Sequence, residues 1–204
     1  MKENRESLRR KIAREAALLL YTGQEKEYRQ AKIRAAENLG VKILPSNREI
    51  AEELDRLAQE LEGEEREKRL IEMRETALQI MKILKIFNPR LIGSVWRGTA
   101  NKNSDIDIII FHDKPKEITT TLKNAGLFVH CTEWQTTEKG GEEKTSFHIF
   151  LGNFGYKIEI VVKPLEEAET LEKCEIYGDK ITGLNIEELE KVLKINPLQK
   201  FLPK

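Results

Sequence analysis

Residues 91–111 read LIGSVWRGTANKNSDIDIIIF, and this stretch is the most informative part of the sequence for the fold. Its second half, from Asp105 to Phe111, is apolar apart from its two aspartates, which is typical of a buried strand. Because residues i and i+2 of a strand point to the same face, Asp105 and Asp107 are predicted to lie side by side. Two such carboxylates repel each other unless a cation lies between them, and Mg²⁺ prefers oxygen ligands. The pattern therefore predicts a divalent cation site, although a strand edge where both aspartates reach water would explain an isolated Asp-x-Asp.

A turn suited to phosphate precedes this strand. Gly93 and Ser94 stand at the end of a short predicted strand. A glycine lets a phosphate approach the backbone closely, and a serine hydroxyl beside free backbone N–H groups suits phosphate oxygens. Arg97 adds a positive charge with a fork geometry that matches phosphate, and Lys102 and Ser104 are further candidate contacts. We therefore predict a nucleotide-binding segment made of Gly93, Ser94, Arg97, Lys102 and Ser104.

The order of these motifs resembles that of the DNA polymerase β-like nucleotidyltransferase superfamily, in which a strand ends in Gly-Ser and the next strand carries Asp-hydrophobic-Asp. The pattern Gly-Ser-x-x-Arg-Gly-Thr at 93–99, followed by Ser-Asp-Ile-Asp at 104–107, is similar to that of archaeal-type CCA-adding enzymes and of minimal nucleotidyltransferases. The resemblance implies an α+β fold in which a mixed sheet packs on helices. It also implies Mg²⁺ (or Mn²⁺) as the cofactor, bound as two ions, and an NTP as the substrate.

The resemblance further implies a third carboxylate, on a strand beside the Asp-x-Asp strand. The apolar run Tyr156–Val162 contains Glu159, and a charged residue in the middle of such a strand needs a reason. In a two-metal phosphoryl transfer, Asp105, Asp107 and Glu159 would all bind metal, and Glu159 is our preferred base for the acceptor hydroxyl. The alternative is a core strand with one glutamate that faces solvent.

A predicted hairpin places one histidine near Glu159. Two strand-like runs, 146–151 and 156–162, are joined by residues 152–155, which read GNFG and are typical of a turn. If the two glycines pair with each other, His148 lies directly opposite Glu159 and shares its face. His148 is therefore a possible accessory residue that binds substrate or tunes Glu159. The alternative is a polar cross-strand neighbour without a catalytic role.

The chain is predicted to divide into an N-terminal helical region, residues 1–87, and a nucleotidyltransferase catalytic domain, residues 88–204. Apolar side chains recur at helical spacing in the first part, and short strand-like runs begin after Pro89. Residues 1–45 carry an excess of five positive charges, and residues 48–77 an excess of five negative charges. The basic segment could contact RNA phosphates, although two oppositely charged helical segments would also pack together.

The overall composition narrows the class of protein. Lys+Arg and Asp+Glu both number 35, so the net charge is zero and favours no particular partner. The two cysteines, Cys131 and Cys174, are too far apart in sequence to suggest a metal-ligand motif. The charged N-terminus has no apolar signal core, and the stretch Ala16–Tyr21 is too short to span a bilayer. We therefore expect a cytoplasmic protein without membrane contact.

The sequence thus predicts a metal-dependent nucleotidyltransferase. It would move a nucleoside monophosphate from an NTP to a hydroxyl of a protein, an RNA or a small molecule, and release pyrophosphate. Two alternatives stay open. One is an antitoxin-like or regulatory nucleotide-binding module that acts with a partner protein. The other is a tRNA-tailing enzyme of the CCA-adding type, which the short chain after Val162 disfavours.

Overall fold

The computed structural model describes residues 2–139, 142–170 and 172–203, which form an α+β fold. The chain begins with four long helices: α1 (Lys2–Tyr21), α2 (Tyr28–Asn38), α3 (Asn47–Glu62) and α4 (Glu64–Ile83). The strands follow: β1 (Arg90–Ile92), β2 (Ile106–Phe111), β3 (Val129–Lys139), β4 (Glu142–Leu151) and β5 (Ile158–Lys163). Three shorter helices lie among or after them: α5 (Gly93–Arg97), α6 (Pro115–Asn124) and α7 (Ile186–Ile195). Two 3₁₀ turns complete the fold, at Lys85–Phe87 and Leu165–Glu169.

The described strands form a single mixed sheet in the order β1-β2-β5-β4-β3. β2 and β5 pair in parallel, and all other neighbours pair antiparallel. β2 and β5 can pair in parallel because a long connection, through α6 and the β3–β4 hairpin, separates them. The predicted α+β class, with a mixed sheet packed on helices, is confirmed.

The two faces of this sheet differ in chemistry. Along β2 and β5 the side chains alternate between a buried and a half-buried environment. The buried face contains Ile106, Ile108, Ile110, Ile158, Ile160 and Val162, and it shares one core with apolar side chains of α4. The open face carries Asp107, Ile109, Phe111, Glu159, Val161 and Lys163. The strands thus combine a packed core on one side with charged side chains on the other.

Helices α1, α2 and α3 form a second core of their own, which includes Ile12, Ala16, Ala35 and Ile50. Ion pairs join α1 to α3, with N–O distances of 2.6 Å for Arg9–Glu49, 3.0 Å for Arg10–Glu53 and 2.8 Å for Arg14–Glu60. The basic and acidic segments therefore pack against each other, which was one of the two interpretations of their opposite charges. An RNA contact through residues 1–45 would have to compete with these ion pairs.

The apolar side of helix α4 packs in the sheet's core, while Arg66 at its beginning pairs with Asp55 of α3. The α4 residues Met73, Ala77, Ile80 and Met81 are buried in the sheet's core. The sheet's core thus includes side chains of α4 as well as of the strands, and the division into residues 1–87 and 88–204 stays a prediction. Helical periodicity shows that α4 is a helix but not which core its apolar side belongs to. Within the described residues, no helix has the length and apolar character that crossing a bilayer requires.

Candidate active site

Three carboxylates meet on the open face of the sheet. The parallel register of β2 and β5 pairs Asp107 with Glu159, and Asp105 lies one residue before β2. Burial, together with the nearby carboxylates of Glu159 and Asp105, raises the pKa of Asp107 from 3.8 to about 7. Burial also raises the pKa of Asp105, while Lys157 opposes that rise and Glu159 adds to it. A positive charge bound at this point would relieve the repulsion that raises both pKa values.

Gly93 is in direct contact with this carboxylate cluster. Its φ is +71°, in the left-handed region that favours glycine, and a Cβ at this position would lie 2.0 Å from Oδ2 of Asp107. The proximity arises because β1 pairs with β2 so that Ile92 is opposite Asp107. Any side chain at position 93 would therefore displace the Asp107 carboxylate or the backbone of this turn.

The segment after Gly93 is helical, whereas the sequence pattern predicted a loop between the two strands. Residues Gly93–Arg97 form the short helix α5, which ends at Gly98 with a left-handed φ of 73°. The first backbone N–H groups of a helix have no partner within the helix. The predicted Gly-Ser turn is thus the beginning of α5, with Ser94 in its first turn.

A cavity of about 330 Å³, called here the α5 cavity, lies beside this helix. Four of the predicted nucleotide-binding residues line it: Gly93, Ser94, Arg97 and Ser104. Side chains from distant parts of the chain line it too, among them Tyr28 of α2, Leu54 and Asp55 of α3, and Tyr177. Helices α2 and α3 therefore contribute to the wall of the candidate nucleotide site.

Arg97 does not present a free charge to the α5 cavity. It is buried, and its guanidinium donates to both carboxylate oxygens of Asp179, at 3.1 and 2.7 Å, and to the carbonyl of Phe201, at 3.0 Å. Its guanidinium carbon also lies 4.4 Å from the centre of the Trp96 ring. The predicted phosphate contact is not supported by this placement, because a carboxylate already neutralises the arginine.

Lys102 and Ser104 occupy different environments. Lys102 is not part of the α5 cavity: its ammonium lies 4.5 Å from the centre of the Tyr21 ring, and its backbone N–H donates to Glu62 at 3.1 Å. Ser104 lines the cavity, and its hydroxyl accepts a hydrogen bond of 3.0 Å from the backbone N–H of Asn101. Lys102 is therefore placed outside the site that its sequence position suggested, whereas Ser104 is placed inside it.

His148 contacts Glu159, although the predicted register of the hairpin was wrong. β4 and β5 pair Phe150 with Glu159, and His148 with Val161, because the turn is wider than a direct pairing of Gly152 with Gly155 would make it. His148 is two residues from Phe150 and so shares its face, diagonal to Glu159. Its Nδ1 lies 2.5 Å from Oε1 of Glu159, and its Nε2 lies 2.7 Å from the Ser146 hydroxyl. Ser146, His148 and Glu159 thus form a hydrogen-bonded chain.

The chemistry of the carboxylates fits a hard divalent cation, although their present arrangement is not that of a metal centre. Among the residues that the structure describes, no group of three or more His, Cys, Asp or Glu side chains is placed to hold a metal ion. One oxygen of Glu159 is bound to His148 instead. The donor atoms are all oxygens, which hard divalent cations prefer, and the neighbouring carboxylates of Glu159 and Asp105 contribute to the raised pKa of Asp107. Asp105, Asp107 and Glu159 are the residues that would hold it.

Several residues of the site had no signal in the sequence. Tyr28, Asp55 and Tyr177 line the α5 cavity but belong to no motif, and they come from elements far apart in the chain. Arg74 of α4 is fully buried and donates to four backbone carbonyls, those of Val95, Trp96, Pro197 and Gln199. Arg74 therefore fixes the end of α5 against the C-terminal segment. Burial of the guanidinium lowers the pKa of Arg74 to about 10.

Three solved structures illustrate what this chain is similar to. A cytoplasmic RNA terminal U-transferase aligns with 20% identity and a TM-score of 0.34 over 47% of this chain and 29% of its own. Cid1 in complex with the UTP analogue UMPNPP aligns with 20% identity and a TM-score of 0.33 over 47% and 28%. The GLD-2/RNP-8 complex aligns with 17% identity and a TM-score of 0.32 over 50% and 33%. The chain thus spans a third or less of these proteins' length, and the likeness is one of fold.

Among curated proteins, none matches the chain. A family described as "Domain of unknown function (DUF4269)" matches residues 74–176. That match covers just over half of the chain, and it includes α5, Asp105, Asp107, His148 and Glu159. The chain therefore belongs to the DUF4269 family, a domain of unknown function.

Proposed function

We propose that the chain is a metal-dependent nucleotidyltransferase, which moves a nucleoside monophosphate from an NTP to a hydroxyl group and releases pyrophosphate. One observation carries the proposal: the half-buried carboxylate of Asp107 lies between Gly93, at the start of α5, and Glu159 on the neighbouring strand. Nucleotidyl transfer needs a phosphate-binding turn directly beside acidic residues, and this contact joins the two.

The α5 cavity is the proposed binding site of the NTP. Its phosphates would lie near Ser94 and the first N–H groups of α5, because both can donate to phosphate oxygens. The base and ribose would lie toward Tyr28, Leu54 and Tyr177, which offer aromatic and apolar surface at the far wall. Solved structures of Cid1 contain a UTP analogue, MgATP or MgGTP, so ligands of this class are known in proteins of similar fold.

Asp105, Asp107 and Glu159 would hold Mg²⁺ or Mn²⁺, as one or two ions. Bound cations supply positive charge that neutralises the triphosphate and the negative charge that develops during transfer. In the transfer, the hydroxyl oxygen forms a bond to the α-phosphorus while the bond from that phosphorus to the pyrophosphate oxygen breaks. Glu159 takes the proton of the hydroxyl, and His148 holds the Glu159 carboxylate in place through their hydrogen bond.

The test is to measure NTP binding and transfer with the full chain. Isothermal titration calorimetry with non-hydrolysable NTP analogues should show binding that requires Mn²⁺ or Mg²⁺. Incubation with each common NTP, labelled at the α-phosphate, should release pyrophosphate and label an acceptor in a cell extract. The proposal is wrong if no NTP analogue binds in the presence of metal and no labelled product forms from any NTP.

A further inference from the structure

A second cavity, called here the sheet cavity, has a volume of about 300 Å³ and lies over the open face of the sheet. Its floor is built from side chains of β2, β4 and β5 that point to this face: Ile109, Phe111, Ser146, His148 and Val161. Its sides include Thr137 of β3, as well as Thr170 and Ile181 from the segment that follows β5. The surface of the cavity is mainly apolar, and Ser146 and His148 are the polar residues of its floor.

The sheet cavity and the α5 cavity share part of their lining close to the carboxylate cluster. Ile92 and Ile181 line both cavities, and Ile92 pairs directly with Asp107. On the side of the sheet cavity, His148 is hydrogen-bonded to Glu159. A molecule in one cavity would therefore approach a molecule in the other beside Asp107 and Glu159. That is the relation required between a nucleotide donor and its acceptor.

The charged side chains of the sheet cavity already have partners. Arg90 donates to Glu188 at 3.1 Å and to the carbonyl of Thr182 at 2.5 Å. Lys163 pairs with Glu172 at 2.8 Å, and Glu167 pairs with Lys144 at 3.3 Å. An RNA acceptor would need cationic side chains that can contact its phosphates. Such contacts supply most of the affinity for a nucleic-acid backbone. A cavity whose cations are paired with carboxylates favours an uncharged molecule instead.

The volume of the sheet cavity also limits which acceptor can bind. Ligand pockets in proteins span roughly 300–1,000 Å³, so this cavity is at the small end of that range. We propose that the sheet cavity binds the acceptor, and that the acceptor is a small uncharged organic molecule with an alcohol group, not an RNA or a protein. This proposal rests on the nucleotidyltransferase function proposed above.

The position of the alcohol follows from the polar residues of the cavity floor, because His148 is hydrogen-bonded to Glu159. The hydroxyl binds beside His148 and Ser146, while the apolar part of the molecule packs on Ile109, Phe111 and Val161. In the reaction the alcohol oxygen becomes bonded to the α-phosphorus of the NTP, and pyrophosphate leaves. The alcohol proton goes to Glu159 and then to solvent, so the product is a nucleoside monophosphate ester of the small molecule.

The test compares binding of small alcohols in two variants of adjacent residues. Thr137→Trp fills the sheet cavity, whereas Thr136→Trp places the same ring on the opposite face of the same strand, outside the cavity. Saturation-transfer NMR with glycerol, glucose, uridine and benzyl alcohol, each added to the full chain, should detect at least one ligand. We expect affinity for that ligand to fall about tenfold or more in Thr137→Trp and to be unchanged in Thr136→Trp.

Transfer assays complete the test. The alcohol that binds should become labelled from an NTP carrying an α-phosphate label, and a short single-stranded RNA with a free 3′-hydroxyl should not. The proposal is overturned if none of the alcohols binds, if Thr137→Trp leaves their binding unchanged, or if the RNA is labelled instead. Metal-dependent binding of an NTP analogue, measured on both variants, separates these outcomes from a failure of the proposed function, in which the nucleotide itself does not bind.

Discussion

The two faces of the sheet are built from alternate residues of the same strands, yet they have opposite chemistry. On β2, Ile106, Ile108 and Ile110 are fully buried, whereas Asp107 between them faces Glu159 and has a raised pKa. The buried face stabilises the fold because apolar surface leaves water, at about 25 cal/mol per Å². The open face destabilises it by bringing like charges together. Rigid strands thus hold the carboxylates at a fixed spacing, and this precision is obtained at the expense of stability.

The largest effect should come from removing the charge of Asp107. Asp107→Asn keeps the size of the side chain but removes the central negative charge of the site. We expect the transfer rate to fall on the order of 100- to 1,000-fold, as when other electrostatic groups of active sites are lost. Asp113→Asn is the matched control, because Asp113 lies outside the cluster and its oxygen accepts a bond from Leu165 that asparagine can keep. Near-full activity of Asp107→Asn would exclude this residue from the catalytic site.

The next effect concerns the buried face and should change stability instead of activity. Ile108→Ala should lower the free energy of unfolding by about 2–5 kcal/mol, because it leaves a cavity in a packed core. Ile109→Ala, one residue along and half-buried on the open face, should lower it by less than about 1.5 kcal/mol. Urea titrations of both variants provide the measurement. Equal losses in the two variants would show that the faces do not differ energetically.

The pH dependence of stability should report the raised pKa of Asp107. The pKa of Asp107 is 3.8 in the unfolded chain and about 7 in the folded chain. Between these two pH values the folded chain therefore keeps a proton that the unfolded chain releases. The contribution of Asp107 to stability is therefore full below pH 3.8 and is lost as the pH rises to about 7. In metal-free buffer, wild type should lose about 4 kcal/mol more than Asp107→Asn over this window. Parallel pH profiles for the two proteins would contradict the raised pKa.

The smallest effect is expected at His148, which holds the Glu159 carboxylate through a hydrogen bond. His148→Ala should lower kcat about tenfold and leave the KM for the NTP unchanged, as for other residues that orient a catalytic side chain. His148→Asn should restore part of the rate, since its amide N–H can replace the Nδ1–H that meets Glu159. A rise in the KM for the NTP, or no difference between the two variants, would count against a positioning role.

Much of the candidate site could be predicted from local sequence pattern. An apolar strand with aspartates at i and i+2, a preceding Gly-Ser and a glutamate within a later apolar strand were sufficient to predict which residues would come together. The pattern could not predict the register of β4 on β5, which depends on how the GNFG turn folds, and the predicted pairing was shifted. His148 reaches Glu159 all the same, because diagonal neighbours on one face lie within reach of a long side chain.

The periodicity of each helix and strand, and the two faces of the central strands, could be predicted from the sequence because they depend on neighbours along the chain. The same holds for the residue types that carry the chemistry. Which charged side chains can contact a ligand depends on the tertiary structure. It pairs Arg97 with Asp179, directs Lys102 to Tyr21, and uses α2 and α3 as a wall of the α5 cavity. Such contacts join residues that are far apart in sequence, and they depend on the packing of whole helices against the sheet, which no local pattern encodes.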